Sequence, residues 1–155
     1  MALRTVDSKK DVWNSIKKFF VDAIETTEGI KLVFDREFFD TTLPAGTKVT
    51  QWASVTLDEI RMDVVSQALV TVYLYTRGDR ENNTLFTMRD TVMNHLIDQT
   101  GTDQFKRVTL YDTSISGAWV ADSTMLLYPS SESEVYMGQD DTRFMYITLI
   151  MKWGA

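Results

Sequence analysis

The run Arg143 to Trp153 constrains the fold more than any other stretch of the chain. Phe144, Tyr146 and Ile150 fall on one side of a two-residue period, and Met145, Ile147, Leu149, Met151 and Trp153 on the other. A strand that is apolar on both sides belongs in the middle of a sheet, covered on both faces. A second alternating run, Val64 to Thr76, carries Val64, Ala68, Val70, Val72 and Leu74 on one face. Its other face carries Val65, Leu69, Thr71, Tyr73 and Tyr75. Shorter strands are expected at Ile30 to Phe34, Lys48 to Leu57, Phe105 to Asp112 and Ser123 to Tyr128.

Two stretches switch to helical spacing. From Ser8 to about Thr27, the residues Val12, Trp13, Ile16, Phe19, Phe20, Ala23 and Ile24 fill one arc, with Asn14, Lys18, Asp22 and Glu25 opposite. Ser8 followed by Asp11 resembles a capping box, and Gly29 is placed to take a left-handed cap. The second helix is expected from Thr84 to about Gln99, with Asn83 as its N-cap and Gly101 marking its end. Asp35 to Thr47 and Pro129 to Thr142 read as long acidic connections, and Ser114 to Ala121 as a loop. The order helix, strands, helix, strands predicts an α+β domain spanning 1–155. Its mainly antiparallel or mixed β-sheet would carry two amphipathic helices packed on one face.

Composition narrows the chemistry. With 155 residues, 44% of them hydrophobic, the chain is long enough to bury a core. It has no cysteine, which removes disulfides and thiolate metal sites and suits a reducing compartment. No stretch has the length and apolarity of a membrane helix, and the start has no apolar signal segment; a cytoplasmic origin is expected. The net charge is −6, and the one basic cluster, Lys9, Lys10, Lys17 and Lys18, is interleaved with Asp7, Asp11, Asp22 and Glu25. That pattern reads as the solvated side of a helix and argues against dedicated DNA binding. Phosphate-binding loops, dinucleotide fingerprints and nucleophile elbows are missing, and His95, the one histidine, falls at the edge of an apolar arc. No catalytic residue, cofactor or metal is expected.

What the sequence favours is assembly. Two helices cover one face of a sheet, and the face bearing Leu69, Thr71, Tyr73 and Tyr75 then needs a loop or a neighbouring chain. Arg89 lies within the arc of Leu85, Met88, Val92, Met93, Leu96 and Ile97, where a charge must pair internally or meet another subunit. Acid pairs at Asp58/Glu59, Glu132/Glu134 and Asp140/Asp141 read as solvated loop charge or partner contacts. Interface candidates are therefore Arg89, Tyr73, Tyr75, the turn residues Arg77, Asp79 and Arg80, and the acids Glu132, Glu134, Asp140 and Asp141.

One whole-chain pattern has a likeness. An amphipathic helix leads to strands around Gln51-Trp52-Ala53-Ser54-Val55. The long strand Ala68 to Tyr75 runs into an Asp/Asn turn, the helix Leu85 to Met93 follows, and the chain closes on Tyr146 to Met151. This resembles the tail-terminator proteins of long-tailed bacteriophages. The resemblance implies a virion structural protein, assembled in the host cytoplasm, that forms a hexameric ring at the head-proximal end of the tail tube. Its implied partners are sister copies, the major tail tube protein and the head-completion or connector protein, with genome DNA passing through the lumen unread. A head–tail adaptor, neck or tail-completion protein shares much of this architecture. A small α+β module binding an apolar ligand or peptide on its sheet is the rival from a different class.

Overall fold

The structure, a computed structural model, describes residues 9–34, 50–62, 65–100, 104–113, 117–138 and 141–154. Ser8, the connection Asp35 to Thr47, Val64, Gly101 and Asp140 lie outside the described residues. The protein is α+β and mostly sheet. In chain order it forms helix α1 (Lys9–Phe20), a π-helical segment (Val21–Thr26), and strands β1 (Lys31–Phe34), β2 (Gln51–Arg61) and β3 (Val65–Arg77). Helix α2 (Asn83–Leu96) follows, then β4 (Lys106–Asp112), β5 (Val120–Glu132), the short β6 (Tyr136–Met137) and β7 (Thr142–Gly154).

The strands form one curled sheet in the order β1-β2-β3-β7-β5-β4, with β6 also pairing β7. β1 and β2 run parallel and every other pairing is antiparallel. The register sets Ala68 opposite Met151, Val70 opposite Leu149, Val72 opposite Ile147 and Leu74 opposite Met145. These eight side chains are all buried, together with Val12, Ile16 and Phe20 of α1 and Leu85, Met88 and Val92 of α2. The two-residue period on the strands and the 3.6-residue period on the helices therefore meet in one core.

β7 is central, as its composition predicts, but the expected cover on both faces holds for one face only. Phe144, Tyr146 and Ile150 are half-buried, whereas Met145, Ile147, Leu149, Met151 and Trp153 are buried. Among the described residues, no helix is long and apolar enough to cross a membrane.

Several boundaries differ from expectation for identifiable reasons. The first helix widens into π geometry after Phe20, and the Thr27 hydroxyl donates to the Asp22 carbonyl at 2.7 Å. Gly29 then takes the left-handed cap at φ 68, its amide donating to the Glu25 carbonyl. Asp11 is not a surface charge balancing the lysines. It is buried, and its carboxylate accepts from the Thr113 amide at 3.1 Å and the Thr113 hydroxyl at 2.5 Å.

β2 runs past Leu57 to Arg61, absorbing the Asp58/Glu59 pair at a register shift, where the Thr71 hydroxyl donates to Asp58 at 2.5 Å. β5 begins at Val120 and continues through Pro129 to Glu132, so Glu132 ends a strand and does not sit in a connection. Proline is tolerated there because β4 accompanies β5 only as far as Leu127, and the β5–β7 register shifts between Pro129 and Ser131.

Candidate assembly interface

The face of the sheet opposite the buried set carries a row of rings. Cross-strand register puts Tyr75 between Trp52 and Phe144, Tyr73 beside Tyr146, and Tyr136 beside Phe144. Trp52 and Tyr75 stack at 5.2 Å between centroids with planes 6° apart. Tyr75 and Phe144 are 5.7 Å apart, Tyr136 and Phe144 5.4 Å, and Tyr73 and Tyr146 5.5 Å. The row thus crosses β2, β3, β7 and β6, each ring held by its cross-strand neighbours. The Arg77 guanidinium lies 5.3 Å over the Trp52 ring and extends the row at its charged end.

Burial holds the Tyr75 phenol above the usual range, with the neighbouring Tyr73 adding to the shift. Tyr136 is also pushed up, first by its hydrogen bond with Tyr146, while exposed Glu134 adds a smaller push. Tyr136 retains 43% exposure and Met137 71%, so the row opens to solvent on the β6 side.

The turn after β3 gathers the charged candidates. Gly78 and Asp141 both take positive φ, 74 and 53, and the Gly78 amide donates to the Asp141 carbonyl at 3.1 Å. Arg143 Nη1 donates to the Arg80 carbonyl at 2.6 Å and to Asn82 Oδ1 at 2.9 Å. Arg77, Asp79, Arg80 and Asp141 therefore meet at one end of β3 and β7.

Asp79 has an internal task. Its carboxylate accepts from the Leu85 amide at 2.8 Å, the Thr84 amide at 3.2 Å and the Thr76 hydroxyl at 3.4 Å. It caps α2 in place of Asn83, which is the first residue of the helix. Asn82, at the N-cap position, is left-handed with no side-chain cap.

Arg89 lies away from this end, on the helix side. Its Nε donates to Glu132 Oε1 at 3.0 Å, Nη2 also reaches that oxygen, and Nη1 donates to Asp90 at 3.0 Å. The hydrogen bond to Glu132 is the main cause of the raised guanidinium pKa; burial opposes it. Two residues picked separately as interface candidates are thus each other's partner, clasping α2 to the end of β5. They line a cleft of about 380 Å³ with Met93, Ile97, Phe105 and Tyr128. His95 Nε2 lies 2.8 Å from Glu28 Oε1, a boundary position tying the end of α2 to the end of the first helix.

Trp52, Phe144, Tyr146 and Tyr136 complete the row but were not among the sequence candidates. Parity along β7 marks Phe144 and Tyr146 as sharing a face. Only the register across strands shows that this face is the one Tyr73 and Tyr75 occupy. Tyr136 falls in a stretch that reads as connection. Among the described residues, no group of three or more His, Asp or Glu is arranged to hold a metal ion. No protein-family model matches the chain, and no characterised protein sequence matches it either.

Proposed function

We propose that the protein is a structural ring component of a long-tailed bacteriophage, acting as tail terminator. In this reading six copies form a ring on the head-proximal end of the tail tube, end tube polymerisation and present a joining surface to the head connector. Genome DNA passes through the centre without being read. A net charge of −6 suits such a conduit, because like charge discourages the nucleic acid from adhering.

The observation that carries the reading is the two-sidedness of the sheet. Residues of both helices join the buried residues of the strands in one core cluster. The opposite face carries six aromatic rings in contact with one another, Trp52 buried, Tyr73, Tyr75, Phe144 and Tyr146 half-buried, and Tyr136 open to solvent. Partly exposed rings in a row are costly for a monomer, whereas a surface shared between copies would bury them. The order of helices and strands along the chain is the pattern on which the resemblance to tail terminators rests.

The test is assembly. Mass photometry and sizing with light scattering across concentration, with and without purified tail tubes, should reveal a six-copy species and tubes of arrested length. Tyr73→Ser with Tyr75→Ser should weaken association. A protein that stays monomeric at every concentration and leaves tube growth unchanged would overturn the proposal. Binding to the head connector without capping the tube would assign the adaptor role instead.

A further inference from the structure

Trp119 and Val120, which lead into β5, keep 51% and 50% exposure. The next residues, Ala121 to Thr124, are exposed one after another as well. Successive strand residues face opposite sides, so this end of β5 is open on both faces. Among the described strands only β4 accompanies it: β4 pairs β5 from Leu127 out to Val120, whereas β7 joins no further than Leu126. The start of β5 and the end of β4 therefore stand out past β7 as a two-stranded ribbon. Trp119 is not loose on it. Its ring meets Tyr111 edge-on at 5.5 Å and 75°, and the Lys18 ammonium of α1 lies 5.2 Å from the Trp119 ring and 5.9 Å from the Tyr111 ring. A large ring that is exposed and already held loses little freedom on docking, which makes it an energetic anchor for an interface.

The aromatic row has its open end far from this anchor. Tyr136 pairs with Phe144 near the start of β7, whereas Leu126 pairs with Lys152 near its end. From Phe144 to Lys152 is about 26 Å of strand, and Val120 lies further out in the same direction. The two exposed patches thus sit toward opposite ends of the sheet. Among the described residues, the other exposed large apolar side chains are Val65 at the start of β3, Phe86 on α2, and Met137 next to Tyr136. The charges beside the two patches are opposite in sign. Lys18 pairs with Asp22 at 3.0 Å, and its three donors leave room for a second carboxylate. Exposed Glu134 lies beside Tyr136.

On the ring reading above, on which this inference rests, we propose that Trp119 and Val120 of one copy dock against the Tyr136 end of the aromatic row of the next copy, with Lys18 facing Glu134 across the contact. A ring with one face on a tube and the other on a connector has a single rotation axis and like-facing copies. Six copies close on such an axis only through two different surfaces per copy, because a patch that meets itself stops at two. The row therefore needs an unlike apolar counterpart, and the ribbon presents one toward the other end of the sheet. Opposite charges beside the two patches fix how they meet.

Mixing two variants of the full chain tests the contact, read by sizing with light scattering at concentrations where wild type assembles. Trp119→Ser with Val120→Ser removes the anchor and Tyr136→Ser the receiving end. All three side chains are exposed, so circular dichroism melts should stay near wild type. Each variant alone should associate at least about tenfold more weakly than wild type. Mixed, they should form a one-to-one pair and nothing larger, since the first keeps a working row and the second a working anchor. Glu134→Lys should also weaken assembly, and less so in high salt. If Tyr136→Ser fails to fold, Glu134→Lys takes its place in the mixture. Where wild type assembles only on tail tubes, a bismaleimide should join Val120→Cys to Met137→Cys there and neither variant to itself, the chain having no cysteine of its own. Assembly of the Trp119 and Val120 variant at wild-type strength, a mixture that stays as single copies, or no cross-linked product on tubes overturns this contact and leaves the ring reading standing. A wild-type chain that remains single with and without tubes, or stops at two copies whatever stands at Trp119 and Val120, overturns the ring reading and this contact with it.

Discussion

Arg89→Ala separates an internal clasp from an intersubunit contact, and the structure sets its size. The substitution removes the contacts to Glu132 and the 3.0 Å contact to Asp90. The Arg89 and Glu132 side chains keep 32% and 34% exposure, so the pair is screened and belongs near the upper end of surface ion pairs, about 0.5–1 kcal/mol. Asp90 is 70% exposed and adds next to nothing. Loss of the aliphatic stem beside Met93 and Ile97 adds roughly 0.5 kcal/mol. The expected total is about 1–1.5 kcal/mol, a fall in Tm of roughly 2–6 °C for a chain of this size. A double-mutant cycle with Glu132→Ala, followed by thermal circular dichroism, should return a coupling of about 0.5–1 kcal/mol that shrinks in 1 M salt. Sizing with light scattering on the same proteins should show assembly no weaker than the loss of fold stability explains. Additive single mutants, or lost assembly at unchanged Tm, would refute the internal clasp and place Arg89 against another subunit.

Three further outcomes are expected. Asp79→Ala should lower stability by about 1–2 kcal/mol, read by denaturant unfolding, because the Thr84 and Leu85 amides lose their cap; a neutral result would remove Asp79 from that role. Ser15→Ala should cost about 1–3 kcal/mol and speed hydrogen exchange at the Tyr111 amide, since the hydroxyl is that amide's acceptor; unchanged exchange at Tyr111 would contradict the bond. Tyr75 and Tyr136 should titrate above the ordinary phenol range when phenolate absorbance is followed. Their folded pKa is raised, so the unfolded chain loses these protons first. Their contribution to stability is full below the ordinary phenol value and falls as pH rises from there through the folded value; ordinary titration of both phenols would remove this dependence.

Local periodicity made much of the fold legible. Ala68, Val70, Val72 and Leu74 could be assigned to one face, and Tyr73 and Tyr75 to the other, because a strand alternates whatever it pairs with. The left-handed cap at Gly29 was legible because a residue without Cβ takes positive φ at little cost. The end of β5 was not, since Pro129 and the Ser/Glu run argue for a connection until the end of β4 is known to leave that edge open.

By itself, the sequence determined which residues of a strand share a face, the order of the main helices and strands, and the lack of thiol chemistry. Those properties depend on each residue and its near neighbours. Tertiary structure decided what each charge meets: Arg89 finds Glu132 at a separation of 43 residues, and Asp11 finds Thr113 at 102. It also decided that Trp52, Tyr75, Phe144 and Tyr136 form one row, because register between strands is set by how the whole sheet closes and no single strand carries it.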